Sequence, residues 1–283
     1  MTQPLWQPHP TRGEQARLRA FWQQAEQRSG QSLPDYEALH QWSVSAPDAF
    51  WRLVLDFCDI RYEGDPDQVR TPGERFQDTS WFPDLRLNFA ENLLVRSDQG
   101  TAVIAVQEDG SRQHLSWHEL RVAAGQVAAQ LHDAGVRPGD RVAGYLPNRI
   151  ETLVAALGAA WVGAIWSSCS PDFGVQGVLD RFGQIEPKVL FVCQSYQYNG
   201  KRIDMAERVE AVRAELEPEL LIQIPAGEPE LPGALDWRQW LDGAGQPPQM
   251  ARLPFDHPLY ILYSSGTTGQ PKCIVHGAGG TLL

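Results

Sequence analysis

Residues Tyr260 to His276 read YILYSSGTTGQPKCIVH. The apolar run Leu259 to Tyr263 gives way to Ser264, Ser265, Gly266, Thr267, Thr268 and Gly269, and then to Pro271 and Lys272. A strand that ends in a glycine, hydroxyl and lysine loop is suited to wrap a polyphosphate. Glycines let backbone N–H groups converge on one anion, because no Cβ blocks the approach or forbids positive φ. The hydroxyls of Ser264, Ser265, Thr267 and Thr268 add neutral donors, and Lys272 supplies a point charge for a phosphate oxygen. Each hydrogen bond to a charged group is worth roughly 1.5–3 kcal/mol, so a few of them decide nucleotide affinity.

The P-loop of nucleotide hydrolases and kinases does the same work with G-x-x-x-x-G-K-[ST]. Counted from Gly266, its second glycine falls on Pro271, and Lys272 is followed by Cys273 where the motif needs a magnesium-binding hydroxyl. No helix is predicted after Lys272 either, and Cys273 argues against the reading as a P-loop kinase or ATPase. A polar hairpin on the surface would have no need of Pro-Lys after the loop.

A chain of 283 residues allows one large domain or two small ones, and 42% apolar content is that of a folded globular protein. Its net charge of −11 argues against nucleic acid or an anionic membrane as partner. Cys58, Cys169, Cys193 and Cys273 have no metal-ligand spacing. They read as reduced thiols of a cytoplasmic protein, two of them in strands, and no metal site is expected. The start has no apolar signal-peptide core, and the apolar run 153–166 is too short to span a bilayer, so a soluble protein is expected.

Two regions are predicted, residues 1–97 and residues 98–283. The first is rich in tryptophan and helical, with Phe50, Trp51, Val54, Leu55 and Cys58 on one apolar helix face. A polar, turn-rich stretch follows from Asp65 to Thr79, and then an entry segment, Trp81 to Leu94, that leads into a helix. In the second region strands are expected over 102–106, 141–145, 164–168, 188–193, 220–224 and 258–263. Ser116 and Glu119 have capping-box spacing for a helix that stops at Gly135. Further helices are expected over 150–161, 172–185, 202–216 and 236–241. The alternation defines an α/β fold with a mainly parallel sheet flanked by helices, and ligands bind beyond the carboxyl ends of such strands. Trp161 and Trp166 read as core. His276 reads as structural. Glu108–Asp109 and Glu217–Glu219 read as loop solvation.

The stretch Ser264 to Lys272 matches every fixed position of [ST]-S-G-[ST]-T-G-x-P-K, and so resembles the phosphate-binding signature of the AMP-forming adenylating enzymes. WFPDLRLNFAENLL, residues 81–94, is similar to the W-F-x-x-x-x-L-N-x-A-x-N block of the acetyl-CoA synthetase branch. SSCSPDFG at Ser167–Gly174, YNGK at Tyr198–Lys201 and the segment after the loop are most similar to the acetoacetyl-CoA synthetases. The resemblance covers the whole chain at less than half the family's usual length. It implies a helical cap region followed by the first part of a large adenylate-forming domain.

The activity it implies is ATP-dependent acid–thiol ligation. Acetoacetate attacks the α-phosphate of Mg2+-bound ATP, and CoA then displaces AMP from the acyl-adenylate. It assigns the ATP phosphates to Ser264, Ser265, Gly266, Thr267, Thr268, Gly269 and Lys272. It also sets Gly200, Lys201 and Arg202 where relatives carry a CoA-binding Arg-x-Gly-Arg; Lys201 matches the last position, whereas Tyr198 stands at the first. The family's remaining catalytic residues lie downstream, so the 283-residue chain alone is expected not to complete a turnover. A synthetase for another short acid such as acetate or propionate, or a non-catalytic nucleotide-binding or interaction remnant, are the alternatives.

Overall fold

The computed structural model describes residues 5–224, 231–264 and 269–283. It divides into two compact units. The first takes in residues 5–60 and 64–85, and the second residues 61–63 and 86–282.

The first unit holds helices α1 (Pro10–Glu14), α2 (Arg17–Ser29), α3 (Tyr36–Ser45) and α4 (Pro47–Phe57). Two short strands, β1 (Arg70–Thr71) and β2 (Ser80–Trp81), pair antiparallel. Its core joins Phe21 and Ala25 of α2, Leu39 and Trp42 of α3, and Leu53 of α4. Phe21 meets Phe50 and Phe57 edge-on, with ring centroids 5.8 and 5.3 Å apart. That geometry suits the ring quadrupoles. The stripe that α4 turns to this core is therefore Phe50, Leu53, Val54 and Phe57. This corrects the expected face: Trp51 instead packs on Trp81 of β2, 6.0 Å away, and Cys58 lies past the last helical turn and is exposed.

Asp56 of α4 accepts hydrogen bonds from Arg28 and Arg52. Burial alone would raise its carboxyl pKa, but the two guanidinium groups outweigh burial and hold it below its ordinary value. A depressed folded pKa gives stability that is present above the unfolded value and lost as pH falls through the folded one. Asp56→Asn is therefore expected to destabilise this unit at pH 7, and the gap to the parent to close below about pH 4. Urea unfolding of both proteins from pH 7 to 3 checks this; a gap independent of pH contradicts it.

The second unit opens with β3 (Arg86–Leu87), α5 (Phe89–Leu93), β4 (Thr101–Val106), β5 (Arg112–Ser116), α6 (Trp117–Asp133) and β6 (Arg141–Tyr145). There follow α7 (Ile150–Val162), β7 (Ile165–Cys169), α8 (Val175–Phe182), β8 (Val189–Cys193), β9 (Ser195–Tyr198), β10 (Lys201–Asp204), α9 (Ala206–Leu216) and β11 (Leu220–Ile224). The last elements are β12 (Leu235–Asp236), α10 (Trp237–Asp242), β13 (Leu253–Pro254), β14 (Pro258–Tyr263), β15 (Cys273–Gly277) and α11 (Ala278–Leu282).

The main sheet has the order β12-β11-β8-β6-β7-β14-β15. Every neighbouring pair is parallel except β14 and β15, which are antiparallel. The chain steps one way from β6 through α7 to β7, then back past β6 through α8 to β8. Right-handed crossovers therefore put α7 and α8 on opposite faces. α6 and α10 pack on the α7 side and α9 packs with α8, which explains why all five residues of β8 are buried.

The Ser116–Glu119 capping box forms as expected: Ser116 N donates to Glu119 Oε2 at 2.7 Å, and Glu119 N to Ser116 Oγ at 3.2 Å. α6 ends before Gly135, at φ 78°. Gly158 lets α7 lie against α6, since a Cβ there would come within 2.4 Å of Val127 Cγ1. Three expectations change. Residues 202–204 are strand rather than helix, because Asn199 (φ 51°) and Gly200 (φ 69°) form a tight turn that pairs Tyr198 with Lys201. α8 runs only from Val175 to Phe182, between Gly174 and Gly183. β5, a polar strand unread in the sequence, forms because it pairs with β4 around Gly110.

Candidate active site

β14 delivers Tyr263 and Ser264 to the carboxyl end of the sheet, beside the end of β7. Its partner β15 begins at Cys273, so the glycine and hydroxyl loop connects two antiparallel strands. Among the described residues the loop is followed by a strand and not by a helix, which separates it structurally from a P-loop. The neck of the loop is closed twice. Ser264 N donates to Lys272 O at 3.0 Å, and Lys272 N donates to Ser264 Oγ at 3.3 Å. Lys272 is exposed and makes no ion pair among the described residues. Gly269 has φ 142°, a backbone that side-chain-bearing residues rarely adopt. Ser265, Gly266, Thr267 and Thr268 lie outside the described residues.

Beneath the neck, the buried Ser167 of β7 sits 2.9 Å from Ile261 O and 3.1 Å from the Tyr263 hydroxyl. Burial pushes the Tyr263 phenol up to about 12, so it stays neutral at physiological pH and acts as a hydrogen-bonding strut. On the last turn of α8, Arg181 donates to Gly177 O at 2.6 Å. Its guanidinium carbon lies 4.2 Å from the centre of the Phe173 ring and 5.8 Å from that of Tyr263. Gln184, just beyond α8, donates through Nε2 to Pro271 O at 2.8 Å. Sequence reading gave no role to Ser167, although it opens the SSCSPDFG stretch, and missed Arg181 and Gln184, whose only signal is that they stand three positions apart.

The second group of candidates lies elsewhere on this unit. Gly200 occupies the turn of the β9–β10 hairpin, with Lys201 and Arg202 just after it. The Glu108 carboxylate accepts from Asn199 N at 3.0 Å and Gly200 N at 3.2 Å, which ties this turn to the turn of the β4–β5 hairpin. Glu108 is therefore no mere loop-solvating acid. Between the hairpins is a cleft of about 350 Å³, with Arg149 and Arg202 on its wall. Arg202 Nε donates to Ser195 Oγ at 3.1 Å, while Lys201 is exposed and has no ion-pair partner among the described residues. At the root of the hairpin, Tyr196 donates to Asp172 at 2.7 Å. Burial and that carboxylate push the Tyr196 phenol up to about 12.

Trp161 is buried, with Nε1 donating to Pro248 O at 2.8 Å, and Trp166 packs against Phe191, in keeping with core roles. Cys169 and Cys193 are buried in strands, and burial pushes both thiols up to about 12. Cys58 and Cys273 are exposed. Iodoacetamide at pH 8 should alkylate Cys58 and Cys273 in the native protein, and Cys169 and Cys193 only after unfolding. Peptide mapping by mass spectrometry reads the four rates; equal rates would contradict this burial. Among the described residues no helix is long and apolar enough to cross a membrane. No group of three or more His, Cys, Asp or Glu among them is placed to hold a metal.

Residues 94–282, which hold the parallel sheet and its antiparallel β14–β15 hairpin, match the AMP-binding enzyme family model. The model for the acetyl-coenzyme A synthetase N-terminus matches residues 36–93. The chain belongs to the AMP-binding enzyme family. It is 46% identical to an acetoacetyl-coenzyme A synthetase of Rhizobium meliloti (strain 1021), over 99% of this chain and 44% of that protein. It is 38% identical to a malonamoyl-CoA synthetase of Penicillium aethiopicum, over 99% of this chain and 41% of that protein. The solved structure of an acetoacetyl-CoA synthetase from Streptomyces lividans superposes with a TM-score of 0.91 at 43% identity, over 99% of this chain and 44% of that one. The chain thus spans less than half the length of these relatives.

Proposed function

We propose that this chain is the N-terminal part of an ATP-dependent acid–thiol ligase that forms acetoacetyl-CoA from acetoacetate, ATP and CoA, releasing AMP and pyrophosphate. The observation that carries this reading is the SSGTTGQPK loop, closed at its neck by Ser264 and Lys272 at the end of β14. In this reading Lys272, with Ser264, Ser265, Gly266, Thr267, Thr268 and Gly269, holds the β- and γ-phosphates. Fixed donors and a point charge there stabilise pyrophosphate as it leaves, an electrostatic role. Mg2+ enters with ATP. Gly200, Lys201 and Arg202 contact the CoA nucleotide, a role that the polar cleft beside Arg149 and Arg202 supports. Residues 1–97 form the cap region and 98–283 the adenylate-forming part of a cytoplasmic enzyme whose partners are small molecules, not nucleic acid.

The acyl groups in the relatives' names narrow the acid. Acetoacetate and malonamate both carry a carbonyl at the carbon β to the carboxylate, differing only in a terminal methyl or amine. A short 3-oxo acid is therefore the substrate class, with acetoacetate first. The test is acid-dependent ATP–pyrophosphate exchange by the protein as its own cell makes it, with acetoacetate, malonamate, butyrate, acetate and propionate. Exchange should be greatest with the 3-oxo acids. Exchange led by acetate or propionate would overturn the substrate class, and none with any acid would leave a nucleotide-binding remnant.

A further inference from the structure

We propose that Gln184 is a positioning residue for Lys272, and so sets how tightly the loop holds pyrophosphate; this rests on the reading of the loop given above. One amide reaches both neighbours of Lys272 in the chain. Its Nε2 donates to Pro271 O at 2.8 Å, and its Oε1 lies 3.6 Å from Cys273 Sγ, the thiol being the donor. The same Nε2 also donates to Asp180 O at 2.6 Å, which anchors the side chain to the end of α8. Lys272's own peptide groups are already engaged by Ser264. Its backbone is thus fixed from three sides, and only the side chain is left to seek an anion.

Glutamine suits the place because its amide offers a donor and an acceptor from one rigid plane. Arg181, three residues earlier, reaches the ring of Tyr263 at the end of the incoming strand. The last turn of α8 and the residues just after it therefore touch both limbs of the hairpin. A limb ordered before the ligand arrives loses less freedom on binding, so pre-ordering appears as affinity for the phosphates. It has no reason to alter the sites for the acid or the thiol.

The experiment compares Gln184→Ala, Gln184→Glu and Lys272→Ala in the protein as its cell makes it. Gln184→Glu keeps the side chain's size but removes the donor to Pro271 and, with it, the anchor to Asp180. Both Gln184 variants should raise the KM for ATP and the inhibition constant for pyrophosphate together, by roughly tenfold. The KM values for the carboxylic acid and CoA, and the melting temperature, should stay at parent values. Unchanged ATP and pyrophosphate constants overturn the proposal, as does an equal loss for all three substrates, which marks a merely structural residue. Lys272→Ala separates the two levels. If it too leaves pyrophosphate binding unchanged, the reading of the loop has failed; if it alone weakens binding, only the role of Gln184 has.

Discussion

Asn88→Ala is expected to cost the second unit about 3–5 kcal/mol, since the buried contacts to Ala160 and Trp161, the part-buried one to Ala251 and the cap of a helix are all lost. Asn88 is 0% exposed. Its Nδ2 lies 3.1 Å from Ala160 O, 3.0 Å from Trp161 O and 3.0 Å from Ala251 O. Its Oδ1 accepts from Glu91 N at 3.2 Å and so caps α5. One amide therefore joins the start of α5, the end of α7 and the segment before β13. The melting temperature should fall by roughly 10 °C for a unit of this size. Asn88→Asp keeps the cap but not the donors, and should recover little. A melting point for Asn88→Ala within about 2 °C of the parent would show that the carbonyls find other partners. Asn88 belongs to the WFPDLRLNFAENLL block, so part of that signature is here given a structural cause.

Lys272→Ala should do the converse, leaving stability within about 0.5 kcal/mol of the parent because the side chain is exposed. Acid-dependent ATP–pyrophosphate exchange should fall on the order of 10²-fold, the usual loss when one preorganised donor to a developing charge is removed. Lys272→Arg should recover only part of it, since a planar fork does not sit where a compact ammonium does. The measurements are initial rates of exchange over a range of pyrophosphate concentrations and a thermal melt of each variant. An unchanged rate would remove Lys272 from the phosphate site.

The strands of the main sheet were legible where an apolar run is bounded by turn residues. Arg141–Tyr145, Leu220–Ile224 and Pro258–Tyr263 form over the expected residues. The cap of α6 was legible because Ser116 and Glu119 are three residues apart and act locally. β5 and β10 were not, since each becomes a strand by pairing across a turn, and its own residues carry little apolar alternation. The face of α4 was misjudged by one position because six large apolar residues crowd its surface, and packing against α2 and α3 chose among them. At the site, the short motif drew attention to Ser264 and Lys272. Gln184 meets Pro271 across 87 positions, and Glu108 meets Asn199 across 91, so no local pattern could join them.

The place of β14 in the sheet also orders events during synthesis. β14 lies next to β7, and the bond from Ser167 to Ile261 spans 94 positions. At roughly 5–20 residues per second, β7 waits about 5–20 s on the ribosome for its neighbour, with one hydrogen-bonding edge unfilled. β8 has by then filled the far side of β6. The β14–β15 hairpin is therefore among the last parts of this sheet to be made. If that hairpin holds a nucleotide, as proposed, the nucleotide has nothing to grip on a nascent chain shorter than β15, and it can favour only molecules in which β14 already lies beside β7.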